Sequence, residues 1–434
     1  MIMMIKEIVI NRTAILVFLI LLYVGCWGLI YKGVLMILMF FSTILPCYYI
    51  FATNKKTNTA KIENRFIMLF IFAILMNLLS CSINRGQTIL ESLSNTELLW
   101  FLFIMSFYVY YRIGFSISEI EDAISILFLV FCISYIAQYY IFYPKDVFYQ
   151  LALTENEHRF RLVGQFISFI GYFYALNNVV LRKINYKSVS FLILGFWVIL
   201  LMGFRSGLVA VIFSSILMIF RIRGFSAKTF IYLIVIGALF FSILYSSVGN
   251  TIFGNMISRT ESNTSESENY IRVRQFAYYT QDHFRNYSEW FFGTGVPSAN
   301  SEYGKYMESL TDKGNVTSVA QWRDWGLLGL SWIMGIPMFA CMLFLIFYMI
   351  LKKTPPRYYY ISSLYISMLL MGITTVEVYR NGAFVFHGLL LYLLFLVKKR
   401  VECNKKIVLF ALLKLRREQN HNLDCSQKYS KKTI

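Results

Sequence analysis

The sequence predicts an all-α protein, a polytopic transmembrane helix bundle of about twelve spans with one large outer loop that itself contains helix. Three observations predict it. Of 434 residues, 58% are hydrophobic and only 15% charged, where a soluble domain carries about 25% charged residues. The apolar residues come in blocks of bilayer length, since about 20 of them cross about 30 Å of hydrocarbon as a helix. The basic residues gather on alternate connections.

The long stretches without Asp, Glu, Lys or Arg are Thr13–Tyr31, Gly33–Asn54, Phe66–Asn84, Ala123–Pro144, Leu162–Leu181, Thr229–Ser258, Trp325–Leu351 and Tyr358–Val376. Shorter ones are Leu98–Tyr111, Ser188–Phe204, Ser206–Phe220 and Asn381–Val397. With the N-terminus inside, the inner segments are 1–12, 53–65, 112–122, 182–188, 221–228, 352–357 and 398–434. They hold 27 basic against 8 acidic residues, and the outer segments hold 14 against 15. Basic residues are retained on the cytoplasmic side, so the net charge of +18 is a topology signal and argues against a nucleic-acid partner. The tail, with Lys398, Lys399, Arg400, Lys405, Lys406, Arg416 and Arg417, is expected to lie against anionic lipid head groups.

Ser188–Phe220 reads as a hairpin rather than one helix. A single helix would put the basic loops Arg182–Lys187 and Arg221–Lys228 on opposite faces, whereas a turn at Gly203-Phe204-Arg205-Ser206-Gly207 keeps both inside. Thr13–Tyr31 follows Lys6 and Arg12 without a small-residue cleavage site, so it reads as a retained signal anchor. The seven cysteines lie in or beside spans or in the tail, with no spacing that suggests a disulfide framework or a metal site. The organisation is thus nine spans over 1–248, a large outer loop over 249–324, three spans over 325–397, and a basic tail over 398–434.

A loop as long as 249–324 usually has its own structure and a role. Ser265-Glu266-Ser267-Glu268 matches a capping box and predicts helix to about Asn286. Gly293-Thr294-Gly295 reads as a turn. A smaller outer loop, Pro144–Arg161, carries His158, Arg159 and Arg161, and the last outer loop carries Glu377 and Arg380.

Arg205 is the most informative residue. A cation near hydrocarbon is costly and often functional, and guanidinium binds phosphate bidentately; the bland alternative is an arginine snorkelling to head groups. Arg272 and Arg274 lie about 200° apart on a helix, so they cannot serve one site equally. Arg272 aligns with Phe276, Tyr279 and His283, while Arg274 aligns with Tyr278, Gln281 and Arg285. One stripe is expected on the bundle and the other in water; spacing does not choose between them. His283 and His158 are outer-side candidate bases, or simply exposed loop residues. Glu377 and Arg380 are either an ion pair orienting two spans or substrate contacts.

Phe204-Arg205-Ser206-Gly207-Leu208, opening a span at an outer turn, resembles the signature of the O-antigen polymerase and ligase superfamily. The loop is similar as well, in Arg274, Tyr278, Phe291-Phe292-Gly293-Thr294-Gly295, and in Asn315 followed by Trp325-Gly326-Leu327-Leu328-Gly329-Leu330. The resemblance covers about Gly203–Leu330 by motif. It implies a metal-independent, cofactor-free glycosyltransferase of the bacterial inner membrane, with cytoplasmic termini and a periplasmic active face. It also implies undecaprenyl-diphosphate-linked oligosaccharide donor and acceptor and a separate chain-length regulator. Arg205 and Arg274 would then meet the donor diphosphate. Ligases carry a His before the Asn of the Gly-Leu-Leu-Gly-Leu run. Gly314 stands there, which weakens the ligase reading; the alternative of another class, a polyprenyl-linked oligosaccharide flippase, would carry its arginines mid-span rather than at the outer boundary and in the large loop. Glu302, Asp312, His283 and Asp324 are open candidates for a general base.

Overall fold

The computed structural model describes residues 11–28, 60–143, 162–181, 185–203, 205–227, 271–310 and 320–430, with a few isolated positions between them. Among these residues the chain is helical, with no strand. Four helices are long and apolar enough to cross a membrane: Lys61–Arg85, Ile117–Phe142, Ser206–Arg223 and Trp322–Leu351. They mark a multi-pass membrane protein. Gly33–Asn54 and most of Thr229–Ser258 lie outside the described residues, and each other predicted span falls on helix.

The first helix, α1 (Arg12–Tyr23), is capped by Asn11, whose side chain accepts from the amides of Thr13 and Ala14. Next, α2 (Lys61–Arg85) ends where Gly86 turns left-handed. Its residues Leu69, Phe72, Leu75 and Leu79 form an exposed stripe, while Phe66, Phe70, Ala73 and Ile74 are buried. A stripe of large apolar side chains facing out is what lipid contact requires and water disfavours. The short Leu98–Tyr111 stretch becomes α3 (Thr96–Leu102), a 3₁₀ turn and α4 (Ser106–Ile113). A reciprocal cap between Ser116 and Glu119 starts α5 (Ile117–Ala137). It is followed by α6 (Phe166–Val180), α7 (Tyr186–Leu201) and α8 (Arg205–Arg223). The loop supplies α9 (Ile271–Ala277), α10 (Tyr287–Phe292) and α11 (Glu302–Ser309). The chain closes with α12 (Gly326–Leu351), α13 (Tyr359–Met371) and α14 (Ala383–Ser430), so the tail continues the last span as helix.

The expected alternation appears as two sets of contacts at opposite ends of the bundle. At the basic end, Arg12 pairs with Glu119 at 3.1 Å and donates to the Gly114 carbonyl at 2.7 Å. The Tyr348 hydroxyl donates to Glu63 at 2.7 Å, Arg357 pairs with Glu121, and Arg221 donates to Ser362 at 2.7 Å. At the loop end, Arg323 pairs with Glu97, Gln165 bonds Glu377, and the Gly164 amide donates to the Asn381 carbonyl at 3.0 Å. The Leu98 segment joins both sets, from Glu97 at one end to Ile113, whose carbonyl accepts from Arg12, at the other.

The hairpin reading also holds. Gly203 adopts φ +66° between α7 and α8, a conformation glycine takes without steric cost. Lys187 lines a cleft with Arg357, and Arg221 stacks on Tyr359 at 4.0 Å. Both basic loops thus meet the same turn.

Candidate functional site at the loop end

The large loop is anchored through a break in a span. Within α12, Gly335 has φ 83° and ψ 170°, which interrupts the helix two residues before Pro337. The carbonyls released there find partners in the loop: the Gly295 amide donates to Ile333 at 2.9 Å and the Thr294 amide to Trp332 at 3.4 Å. The Asn77 amide on α2 donates to the carbonyls of Phe292 and Ile333, both at 2.8 Å, and the Ser80 hydroxyl donates to the Gly293 carbonyl at 2.8 Å. Buried backbone groups must be satisfied internally in a bilayer, and this segment does so. Gly293-Thr294-Gly295 is therefore an extended insert that completes a broken span, not the turn expected from its composition. The two glycines have φ 81° and 83°, which suits a backbone laid against another backbone.

A buried ion pair locks the loop to α2. Arg85 and Glu289 meet at 2.6 Å with side chains 2% and 0% exposed. The same guanidinium bonds the His283 carbonyl and lies 5.0 Å from the Tyr303 ring centre. His283 is buried, with Nδ1 3.2 Å from the Tyr278 hydroxyl and Nε2 2.9 Å from Thr294 Oγ1. Tyr303 donates to the same Thr294 oxygen at 3.0 Å, and Tyr278 donates to the Met307 sulfur at 3.5 Å. A neutral imidazole satisfies this chain, donating at Nδ1 and accepting at Nε2. Burial, and then the Arg85 charge, push His283 down to about 3. It is a packed structural histidine rather than an exposed loop base.

The loop helix ends sooner than expected. After α9 comes a π turn, Tyr278–Asp282, and Asn286 is not its last residue but the N-cap of α10, accepting from the Glu289 amide. The π turn brings Tyr278 and Tyr279 both inward. Tyr279 stacks on Trp332 of the broken span (centroids 4.5 Å apart, planes 9° apart) and donates to the Ala320 carbonyl at 2.6 Å. Arg272 is half-buried on the stripe that continues into Tyr279 and His283, and Arg274 is exposed.

Beside this anchor lies a cavity of about 320 Å³, lined by Glu97, Phe101, Leu162, Val163, Gln321, Trp322, Arg323, Val376, Tyr379, Arg380 and Asn381. An adjoining cleft of about 230 Å³ shares Glu97, Gln321, Trp322 and Arg323. Rings of Trp322, Tyr379 and Phe101 form a stack, with centroids 5.8 Å and 6.2 Å apart. Arg380 Nε donates to Glu377 at 2.8 Å, and the buried Glu377 is also bonded by Gln165 at the start of α6. Of the two readings the sequence left open, the ion pair forms and, through Gln165, ties the last outer loop to α6; Arg380 also lines the cavity.

Arg205 is the first residue of α8, at the end opposite Arg221 and hence at the loop end of the bundle. The Arg205 side chain and residues His158, Arg159, Arg161, Asp312 and Asn315 lie outside the described residues. Sequence reasoning missed Arg85, Glu289, Trp322 and Arg323. Arg85 and Glu289 sit in connections that read as ordinary charged loop, and only their burial distinguishes them. The Trp322-Arg323 pair carries a signal in the sequence, an aromatic beside a cation just before a span. No protein-family model matches this chain, and no curated protein matches it.

Proposed function

We propose that this protein is a polymerase of O-antigen or a related surface polysaccharide. It would join undecaprenyl-diphosphate-linked repeat units at the periplasmic face of the inner membrane. One observation supports the reading above others. The separate segments of the large loop that carry the resemblance converge in space: Tyr278, Gly293-Thr294-Gly295 and the span opened by Gly326-Leu327-Leu328-Gly329-Leu330 meet around Thr294 and Trp332.

In this reaction an acceptor sugar hydroxyl attacks the anomeric carbon of the donor. The bond from that carbon to the diphosphate oxygen breaks, the hydroxyl proton passes to a base, and the lipid diphosphate leaves with the added negative charge. Guanidinium groups held in a water-poor site stabilise that charge. Arg205 and Arg274 are the residues assigned this task. Arg274, exposed on α9, is free to reach a lipid-borne ligand. His283 drops from the candidate bases, because it is enclosed and hydrogen-bonded at both nitrogens. Glu302 and Asp324 remain among the described residues. Among those residues, the interactions of arginines sit at the ends of the bundle, which suits chemistry at one face better than a flippase carrying its charges mid-span.

Deletion of the gene followed by gel analysis of the lipopolysaccharide tests the proposal. Loss of the ladder with survival of a core-plus-one-repeat band is expected. Loss of every capped species would point instead to a ligase or a flippase. Complementation with Arg205→Ala or Arg274→Ala should fail to restore the ladder at normal protein levels.

A further inference from the structure

The cavity beside Trp322 has an electrostatic balance that speaks to its ligand. Arg323 and Arg380 contribute two positive charges. Glu97 lines the same cavity and pairs with Arg323, and Glu377 stands directly behind Arg380 and pairs with it. Each guanidinium is thus held in place by a carboxylate, and the Asp324 carboxylate acts on Arg323 and Tyr379 as well, so among the described residues the cavity carries no excess positive charge. Gln321 and Asn381 add neutral amide groups, and Phe101, Trp322 and Tyr379 supply apolar surface.

From this geometry we propose that the cavity binds one uncharged sugar ring of the repeat unit, and that the donor diphosphate is held elsewhere. The inference rests on the polymerase reading for the origin of the sugar, but its chemistry is local. A diphosphate or a uronate entering here would meet the Glu97 carboxylate and would have to compete with both glutamates for the arginines. A neutral polyol has no such cost. Guanidinium N–H groups donate to its hydroxyl oxygens, the Glu97 carboxylate accepts from its hydroxyl protons, and the edges of the stacked aromatic rings meet its C–H groups. A volume of about 320 Å³ lies at the low end for ligand pockets, room for one ring rather than a chain. The ion pairs pre-set donor and acceptor positions, which lowers the ordering cost of binding.

The test is saturation-transfer NMR on the full-length protein in lipid nanodiscs. The probes are methyl glucoside, methyl N-acetylglucosaminide and methyl rhamnoside against glucuronate, galacturonate and inorganic pyrophosphate. At least one neutral glycoside should give a signal that is lost in Trp322→Ala, with uronates and pyrophosphate at least about tenfold weaker. Glu97→Gln keeps the shape but removes the ion-pair partner of Arg323, so it should raise uronate binding while protein folding, followed by thermal unfolding, is retained. Preference of the native protein for uronate or pyrophosphate, no signal from any probe, or a Glu97→Gln variant that folds without gaining uronate binding overturns the proposal. The two readings fail separately. Neutral-sugar binding with an intact ladder after gene deletion removes the polymerase and leaves the cavity. A lost ladder with uronate preference does the reverse.

Discussion

Gly293 of the large loop and Gly335 of α12 cross with their backbones in contact: a Cβ built on Gly293 would stand 2.4 Å from the Gly335 amide nitrogen, and one built on Gly335 would stand 2.3 Å from the Phe292 carbonyl carbon. Both residues have φ above +80°. This crossing lets the loop repair the hydrogen bonds that the break in the span leaves open.

Either glycine should be irreplaceable. Gly293→Ala and Gly335→Ala combine a disfavoured backbone conformation, about 1–3 kcal/mol, with a clash that only backbone movement relieves. Gly86→Ala supplies the comparison. Gly86 also has positive φ but has nothing within 4 Å of the added carbon, so its cost should be that of the left-handed backbone alone, about 1–2 kcal/mol. Thermal unfolding of the three purified variants should rank Gly86→Ala well above the other two.

The buried Arg85–Glu289 pair gives a sharper contrast. Glu289→Gln leaves a guanidinium without its counter-charge between the loop and α2, and breaking one side of such a pair costs about 3–5 kcal/mol. Replacing both partners with apolar residues, Arg85→Met with Glu289→Leu, should recover most of that loss, although the His283 carbonyl also loses its donor. If the double variant is less stable than Glu289→Gln, charge pairing is not what fastens the loop.

His283 predicts a pH dependence of stability. In the folded protein it is held down to about 3, whereas an unfolded histidine titrates near 6.5. Below pH 6.5 the unfolded chain binds a proton that the folded chain refuses, so stability is full above about 6.5 and falls as pH drops toward 3, by about 1.4 kcal/mol per unit. His283→Gln should flatten this part of the profile relative to the native protein. An unchanged difference between the melting temperatures at pH 7 and pH 5 would contradict it.

Glu377 holds Arg380 and Gln165 together from a buried position. Glu377→Ala should cost about 3–5 kcal/mol by breaking one side of its buried pair with Arg380. In cells it should lower the amount of protein as well as any ladder. Arg380→Ala removes the cation but leaves Glu377 its bond from Gln165, so protein level should fall less. Immunoblots beside the gel separate the two effects.

Much of the architecture could be read before any coordinates, because a bilayer imposes few and strong rules. Apolar length located the spans, basic residues assigned their connections to two sides, and the opposite ends of the bundle gather the same connections. The hairpin at Gly203 followed from charge placement alone. The site was less legible. Arg272 and Arg274 looked alike in sequence, whereas in the fold Arg272 is half-buried and Arg274 exposed, and the π turn brings Tyr278 and Tyr279, one from each stripe, both inward. Gly293-Thr294-Gly295 had the composition of a turn, and nothing local reveals that a broken helix far along the chain supplies its hydrogen-bond partners.

The sequence by itself therefore determined that this chain crosses a membrane many times, where most of its helices lie, and which connections share a side. Those properties depend on transfer of whole segments between water and lipid and need no partner. Tertiary structure alone decided that His283 is enclosed, that Arg85 and Glu289 are paired out of water, and that Trp322, Arg323 and Arg380 share a cavity. Each of these depends on contacts between residues distant in the chain, where burial and pairing rather than residue type fix what a charged group can do.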